Sequence, residues 1–342
     1  MVRLVEVASR ASSAFPDFAA VAREAHAGDR LWAPESEESV AWAFGESEAG
    51  RTPLRAWVAL ASGRPVARAA AIAPTGPVGW VGLFACLPGA REAAVAVLDA
   101  CCADLAGRGY AAAEAPHADP LTVGLQVDGL EAPQTIFTPR DPPAYLGHLE
   151  AAGFRVRQRM VAPVMTADRV PAFPARLAGV RVRPLDVARL ERDVAAFHEL
   201  QTDAFAGRPG REARDPGGTR RLLERLLPHV DPDLVIVAER GDRVVGYLLC
   251  LPDAWQSPDP ARIDRARVVS IAVRADQRRR GIGLAMAARL AKTLVAKGYA
   301  TCEGAWIRDD NRAALALAQR FGGRIGRRFA LLGRDLDGVI AP

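Results

Sequence analysis

The sequence contains very little lysine, and its basic charge is not concentrated in one region. Lys292 and Lys297 are the only lysines among 45 basic residues, so arginine carries nearly all the positive charge. The net charge is only +5 over 342 residues, and arginines alternate with acidic residues throughout the chain. Nucleic-acid-binding proteins usually combine a basic stripe with a recognisable binding motif. We therefore predict no nucleic acid among the partners, although local arginines can still attract a small polyanion.

Cysteine is also scarce, and its spacing suits neither disulfides nor zinc. The five cysteines are Cys86, Cys101, Cys102, Cys250 and Cys302. This odd-numbered set has no Cys-x-x-Cys pair and no histidine at ligand spacing. A disulfide framework needs an even set, and a structural zinc site needs closely spaced pairs of ligands. We expect buried, reduced thiols and no metal centre.

Long apolar segments are missing as well. No run approaches the roughly 18 apolar residues that suggest a membrane-spanning helix. The N-terminus contains Arg3, Glu6 and Arg10 and has no signal-peptide core. These features predict a protein with no membrane partner and a cytoplasmic location, and they leave its oligomeric state undetermined.

One segment of the sequence predicts a site for an anion. The apolar run 268–273 is followed by Arg-Arg-Arg-Gly-Ile-Gly-Leu at 278–284, here called the glycine loop, and then by an Ala/Leu-rich stretch. This order indicates a strand, a turn and a helix. Gly281 and Gly283 remove side chains that would keep a ligand from the backbone, and the helix N-terminus presents free N–H groups and a positive dipole end. The unit suits pyrophosphate.

The spacing of the glycine loop separates it from other phosphate-binding motifs. No Gly-Lys-Ser/Thr follows, which excludes a nucleotide P-loop, and the glycines are too few for a dinucleotide fingerprint. The remaining pattern, Arg-x-x-Gly-x-Gly, resembles the coenzyme A pyrophosphate loop of the GCN5-related N-acetyltransferases (GNAT). Its context agrees, because a helix to about Ala296, a strand over 299–306 and a second helix headed by Asn311 should follow.

The resemblance implies an acyl-CoA-dependent N-acyltransferase, with acetyl-CoA as co-substrate and no metal. It implies direct transfer of the acyl group to an amine on a small molecule or a peptide. The residues expected to contact the coenzyme are Ile271, Ala272, Val273, Arg278, Arg279, Arg280, Gly281, Ile282, Gly283, Leu284 and Asn311. A role for Asn311 as a simple helix cap stays open.

The expected acid and base are missing from their usual positions. Many GNAT enzymes have a tyrosine seven residues after the asparagine, where this chain has Ala318, and others have a glutamate where it has Arg267. Glu303 in the following strand is our candidate for the base, with a place on a solvated face as the alternative. Tyr247 is a candidate acid or a core residue, and Asp264 is another nearby carboxylate. A non-catalytic acyl-CoA-binding or regulatory protein is the alternative function.

An internal repeat indicates two copies of one α/β unit. Arg108-Gly109-Tyr110 and Lys297-Gly298-Tyr299 end equivalent helices, and strand hairpins precede both. The fold class predicted is therefore α/β, with two tandem GNAT-like domains, each a mostly antiparallel mixed sheet flanked by helices. We place the domains at residues 1–165 and 180–342, joined by a proline-containing linker over 166–179.

The first copy is expected to be degenerate. Superposing the repeats places Glu92 at the position of Gly281 and Thr122 at that of Asn311. A carboxylate at the centre of a phosphate loop opposes anion binding through its charge and its bulk. We therefore place the coenzyme site in the C-terminal domain alone. The segment 207–218, rich in Gly, Arg and Pro, is either a loop over the substrate site or a solvated connection.

Overall fold

The structure is a computed structural model of the whole chain. It describes residues 1–34, 40, 44, 54–74, 76–119, 122–167, 177–205, 219–220, 223–224, 226–304 and 306–336. The chain divides into two compact units. The N-terminal unit comprises Met1–Met160 with Arg327–Pro342, and the C-terminal unit comprises Val161–Gly326. The predicted loop over 207–218 and most of the predicted linker lie outside the described residues.

The N-terminal unit is a mixed sheet with helices packed on it. Its elements are β1 (Val2–Val7), α1 (Phe15–Ala25), β2 (Leu54–Ala61), β3 (Arg64–Ile72), β4 (Val78–Cys86), α2 (Arg91–Gly107), β5 (Ala112–Asp119), β6 (Thr122–Val123), β7 (Leu125–Asp128) and α3 (Ala144–Ala151). Strands β1 to β4 pair antiparallel in sequence order, and β4 pairs parallel with β5 across the α2 crossover. The first part of β8 (Arg155–Thr166) also belongs to this unit.

The C-terminal unit repeats this plan. Its elements are β9 (Arg181–Pro184), α4 (Leu190–Phe205), β10 (Val235–Arg240), β11 (Arg243–Pro252), β12 (Arg265–Val273), α5 (Ile282–Ala296), β13 (Thr301–Glu303), β14 (Ile307–Arg308), α6 (Arg312–Arg320) and the start of β15 (Arg324–Asp335). Strands β9 to β12 form antiparallel pairs in the order β9-β10-β11-β12, and β12 pairs parallel with β13. The predicted α/β class and tandem repeat are confirmed.

Two long strands each contribute to both units. The end of β8 pairs with β13 in the C-terminal unit, with Thr166 opposite Thr301. The end of β15 pairs with β5 in the N-terminal unit, with Leu332 opposite Ala115. The C-terminal unit therefore includes the end of β8, and the N-terminal unit includes the end of β15. The sequence prediction instead divides the chain at a single linker. The difference arises because a strand belongs to the sheet that pairs with it, whatever its place in the chain.

Apolar residues of the two crossover helices form the cores. On α5, Ile282, Met286 and Leu290 recur at intervals of four residues and pack against buried residues of β10 and β11. The predicted helix ending near Ala296 is therefore confirmed. All five cysteines are free and buried, as expected. The predicted strand over 299–306 is shorter than expected, since β13 covers only Thr301–Glu303. The backbone N–H of Gly304 still donates to Pro163 O of β8 at 2.7 Å, but Pro163 has no N–H to return a bond, so the ladder ends there.

Candidate active site

A gap opens between two neighbouring strands of the C-terminal unit. The parallel ladder of β12 with β13 runs from Arg265 opposite Thr301 to Arg267 opposite Glu303. Beyond Arg267, β12 continues to Val273, while β13 ends. Within the described residues, the last part of β12 therefore has no ladder partner on this side. A cavity of about 700 Å³ lies here, bordered by β12, β13, α5, α6 and the end of β8.

A β-bulge in β12 shapes the wall of this cavity. Leu249 of β11 pairs with Ser270, but the next residue, Cys250, pairs with Val268, so Val269 is the extra residue. A bulge kinks its strand and changes the direction of nearby side chains. Ser270 and the residues that follow it to Val273 all border the cavity. The bulge thus lies at the point where the strand leaves its regular pairing.

The glycine loop closes one end of the cavity with two left-handed residues. Arg279 has φ of +59° and Gly281 has φ of +80°. Gly281 is the N-cap of α5, and no side chain caps this helix end. A left-handed arginine is uncommon, and such residues concentrate at functional sites. The first N–H groups of α5 have no acceptor within the helix, as at every helix N-terminus, and they lie beside the cavity.

The arginines around the loop are anchored to β12 and α4. Arg278 Nε donates to Val273 O at 3.1 Å, and its guanidinium lies 3.6 Å from the Asp203 carboxylate. Arg274 donates to Val244 O at 2.9 Å and pairs with Glu199. These contacts hold the loop in place, because each ties a loop residue to a regular element. They also leave the exposed side chains of Arg279 and Arg280 at the surface.

The cavity brings together nearly all the coenzyme-contact residues predicted from sequence. Those that border it are Ile271, Ala272, Val273, Arg278, Arg279, Gly281, Ile282, Gly283, Leu284 and Asn311. Arg280 is exposed and outside the cavity wall. Asn311 borders the cavity and also caps α6, since its Oδ1 accepts from Ala314 N at 3.3 Å. Capping uses the amide oxygen and leaves the amide N–H groups available as donors.

Glu303 is buried and does not border the cavity, so the alternative to its role as the base, a place on a solvated face, is wrong. Its side chain is only 5% exposed, and its ladder partner Arg267 is 2% exposed. The Arg267 guanidinium lies 4.9 Å from the ring centroid of Trp306, and this ring does border the cavity. Asp264 is held by Gln256, whose Nε2 donates to it at 2.6 Å. The catalytic role of Glu303 stays a prediction.

Tyr247, the candidate acid, belongs to a polar cluster with Ser270 and Gln201, two residues that the sequence analysis did not single out. Tyr247 Oη lies 2.8 Å from Ser270 Oγ, and Gln201 Nε2 donates to that Oγ at 3.2 Å and also to Tyr247 Oη. Phe197 of α4 packs on the Tyr247 ring, with centroids 4.3 Å apart. Of the three polar residues, Ser270 borders the cavity. The available signal was Ser270 as the one polar residue in the apolar run 268–273.

In the N-terminal unit, a tyrosine binds the corresponding strand end. Cys86 is the last residue of β4, as Val273 is the last of β12. The Tyr145 hydroxyl accepts from Cys86 N at 2.8 Å and lies 3.3 Å from Cys86 O. Tyr145 is buried on α3, the counterpart of α6. Its hydroxyl therefore binds backbone groups whose counterparts border the cavity in the C-terminal unit.

No group of three or more His, Cys, Asp or Glu side chains is arranged to hold a metal ion in the part of the chain that the structure describes. Over the same residues, no helix combines the length and the apolar composition that crossing a membrane requires.

Comparison with known proteins gives a consistent family assignment. Residues 194–323 match the family model described as Acetyltransferase (GNAT) family. The chain is 32% identical over 114 residues to Acetyltransferase SG1711 of Sodalis glossinidius, a match covering 33% of this chain and 72% of that protein. It is 24% identical over 234 residues to Bacterial ceramide synthase of Caulobacter vibrioides, covering 59% of this chain and 60% of that protein.

A solved structure matches the whole chain. The Tandem GNAT protein from the clavulanic acid biosynthesis pathway, determined without AcCoA, superposes with a TM-score of 0.66. The superposition covers 99% of both chains at 16% sequence identity. Similarity at this identity shows the fold, with two GNAT units in one chain.

Proposed function

Because this chain belongs to the GNAT acetyltransferase family, we propose that its C-terminal unit binds acyl-CoA and transfers the acyl group directly to an amine. Acetyl-CoA is the first donor to test, and a small-molecule amine or a peptide is the acceptor. One observation carries the proposal. The end of β12 and the glycine loop follow each other in sequence, Asn311 comes more than 25 residues later, and all three border the same cavity.

The residues around the cavity suit the parts of an acyl-CoA molecule. The N–H groups at the start of α5 and the left-handed turn at Gly281 suit its pyrophosphate. The stretch of β12 without a ladder partner offers backbone N–H and C=O groups to the amides of the pantetheine arm, as a sheet edge does to a peptide. Asn311 at the head of α6 adds amide donors.

The co-substrate supplies an acyl group activated as a thioester. In the transfer, the amine nitrogen bonds to the acyl carbon, the carbon–sulfur bond breaks, and the nitrogen loses a proton. The first contribution of the protein to the rate is to position the two reactants, because holding them together replaces a bimolecular encounter. Backbone N–H groups of β12 would also stabilise negative charge on the carbonyl oxygen. The apolar residues of α5 and α6 that border the cavity exclude water from this place.

The alternative is an acyl-CoA-binding protein without catalysis. It is favoured by Ala318, which borders the cavity and cannot donate a proton, and by Arg267 at the position of the usual base. General acid–base groups typically contribute 10²- to 10⁴-fold to a rate, so their loss lowers activity without removing binding. The two functions therefore differ in turnover and agree in affinity.

Thiol release on mixing the protein with acetyl-CoA and a panel of amines separates the two functions. The panel should contain amino acids, polyamines, an aminoglycoside, a peptide N-terminus and, because one relative is named a ceramide synthase, a long-chain lipid amine. Amine-dependent thiol release with a matching acylated product supports the transferase. Coenzyme binding without any product across the panel supports the binding protein, and no binding overturns both.

A further inference from the structure

The cavity extends well beyond the glycine loop, along the length of α5. Gly283, Ala287, Leu290 and Leu294 all border it. The first and last of these positions are eleven residue steps apart on the helix, or about 16.5 Å at 1.5 Å per residue. Protein interiors contain few voids larger than a water molecule, so a cavity of this length calls for an occupant.

Small residues keep this space open. Gly283, Ala287 and Ala291 follow one another at intervals of four on α5 and border the cavity, as do Ala314 and Ala318 on α6. A Cβ atom added at Gly283 would meet only Ile271 and Leu317 side chains at 3.9 Å, which is ordinary contact. Leucine at these positions would fill the gap between the helices, so the sequence itself maintains the opening.

The inner part of the cavity has an apolar wall. It is formed by the buried residues Leu290, Ala291 and Leu294 of α5, Cys302 of β13 and Phe321, which follows α6 directly. Met165 of β8 adds a partly buried side chain. A water molecule needs two to four polar partners to be stable in a cavity, and these side chains supply only the weak thiol. Thr166 and Thr301 add two hydroxyl groups next to Met165 and Cys302, so the wall is mainly apolar. The wall therefore suits hydrocarbon.

Resting on the function proposed above, we propose that this inner part binds the hydrocarbon chain of an acyl group longer than acetyl. The glycine loop, Ser270 and Leu294 all border this one cavity. A thioester held at β12 by its coenzyme would thus present its chain to the apolar wall. Val295, one residue beyond Leu294, also borders the cavity and is 51% exposed.

Binding measurements over a series of donors test this inference. Calorimetry with coenzyme A, acetyl-CoA, butyryl-CoA and octanoyl-CoA should show affinity rising about three- to fourfold per methylene, as each methylene leaves water. Octanoyl-CoA should then bind at least about a hundredfold more tightly than acetyl-CoA. Equal affinities for acetyl-CoA and octanoyl-CoA would overturn the inference and leave the proposed function intact. No binding of any of these ligands would overturn both.

Two substitutions at one position of α5 test whether the acyl chain lies in the inner part of the cavity. Ala291→Phe fills the inner part and should remove most of the octanoyl-over-acetyl preference, and the smaller change Ala291→Leu should remove part of it. Ala296→Phe, on the same helix but exposed and outside the cavity wall, should keep the wild-type preference. Thermal unfolding of each variant shows whether it is folded. A preference unchanged in folded Ala291→Leu and Ala291→Phe protein would overturn the inference.

Discussion

The hydroxyl of Tyr247 lies 2.8 Å from Oγ of Ser270, and Ser270 borders the cavity whereas Tyr247 does not. Tyr247 lies one strand away on β11, and the ring of Phe197 packs against it. A ring fixed by packing has a fixed hydroxyl, so Tyr247 can determine the rotamer of Ser270. A residue buried behind the strand thus sets the direction of a hydroxyl group at the cavity wall.

Replacing Tyr247 by phenylalanine tests this positioning role. The variant should lose about 1–2 kcal/mol of unfolding free energy, because the hydroxyl's hydrogen bonds with Ser270 and Gln201 are both removed, at about 1 kcal/mol each. Its turnover should fall by up to about tenfold, since 1.4 kcal/mol of lost transition-state stabilisation is a factor of ten. Coenzyme affinity should change little, because Tyr247 does not border the cavity. Steady-state kinetics, calorimetry and urea unfolding measure the three quantities.

Tyr110→Phe is the matched control for this change. The Tyr110 hydroxyl donates to Pro74 O in the N-terminal unit, so the control also removes a hydrogen-bonded tyrosine hydroxyl. It should lower stability by a similar amount and leave turnover unchanged. If Tyr247→Phe behaves in the same way as the control, Tyr247 has a structural role only.

Changing Gly281 to glutamate should abolish coenzyme binding. The backbone at Gly281 has φ of +80°, so any side chain there is strained, and its carboxylate would face the bound pyrophosphate. Two like charges 4 Å apart near a protein surface repel by about 4 kcal/mol, which predicts a loss of affinity of more than about a hundredfold. Calorimetry with acetyl-CoA measures the loss.

Gly298→Glu separates this effect from backbone strain. Gly298 follows the other end of α5, has the same φ of +80°, and has open space where a Cβ would be added. The control therefore introduces the same strain and the same charge outside the cavity wall. It should bind acetyl-CoA as the wild type does. Equal affinities of the two glutamate variants would show that the glycine loop does not hold the coenzyme.

The parts of the site that are determined by residues close together in sequence could be predicted from the sequence. The strand, the left-handed turn at Gly281 and the helix N-terminus are set by residues within about fifteen positions of one another. The same is true of Asn311, whose capping bond reaches only to Ala314. The internal repeat also predicted the tandem fold, because each copy carries its own turn and helix-end signals.

The parts that depend on contacts distant in sequence were not predicted. Gln201 and Ser270 are 69 residues apart and meet only because α4 packs on the sheet. The burial of Glu303 depends on the strands on both sides of β13, and no pattern within three residues reveals it. The pairing of β15 with β5 joins residues more than 200 positions apart, beyond any local periodicity.

Glu303→Gln tests the candidate base in its buried setting. If Glu303 accepts the proton of the amine, the variant should transfer acyl groups more slowly at neutral pH and keep its coenzyme affinity. The deficit should shrink as pH rises, because a larger fraction of the amine is then free of its proton. A pH–rate profile for kcat/KM measures this. A deficit that stays constant with pH, together with lower stability in urea, would indicate a structural role beside Arg267.

The intact chain should bind one coenzyme and not two. In the N-terminal unit, Glu92 lies in the first turn of α2 and Tyr145 binds the backbone of Cys86, where a second coenzyme would need free groups. Titration with acetyl-CoA should give a stoichiometry near one. Tyr145→Phe should destabilise the protein by about 1–3 kcal/mol, because the buried Cys86 N–H loses its acceptor. Its stoichiometry should also be one, since Glu92 is retained; a value near two for either protein would contradict this.

The exchange of strand segments makes a prediction about fragments of the chain. A fragment of residues 161–326 retains the C-terminal unit, including Val164 to Thr166, which pair with β13. A fragment of residues 180–342 lacks that pairing partner and retains the end of β15, whose partner β5 is missing. An unpaired apolar strand edge promotes association, so the second fragment should aggregate. The first should stay monomeric, unfold cooperatively and bind acetyl-CoA. Size-exclusion chromatography and urea unfolding compare them, and equal stability of the two fragments would show that β8 is dispensable for this unit.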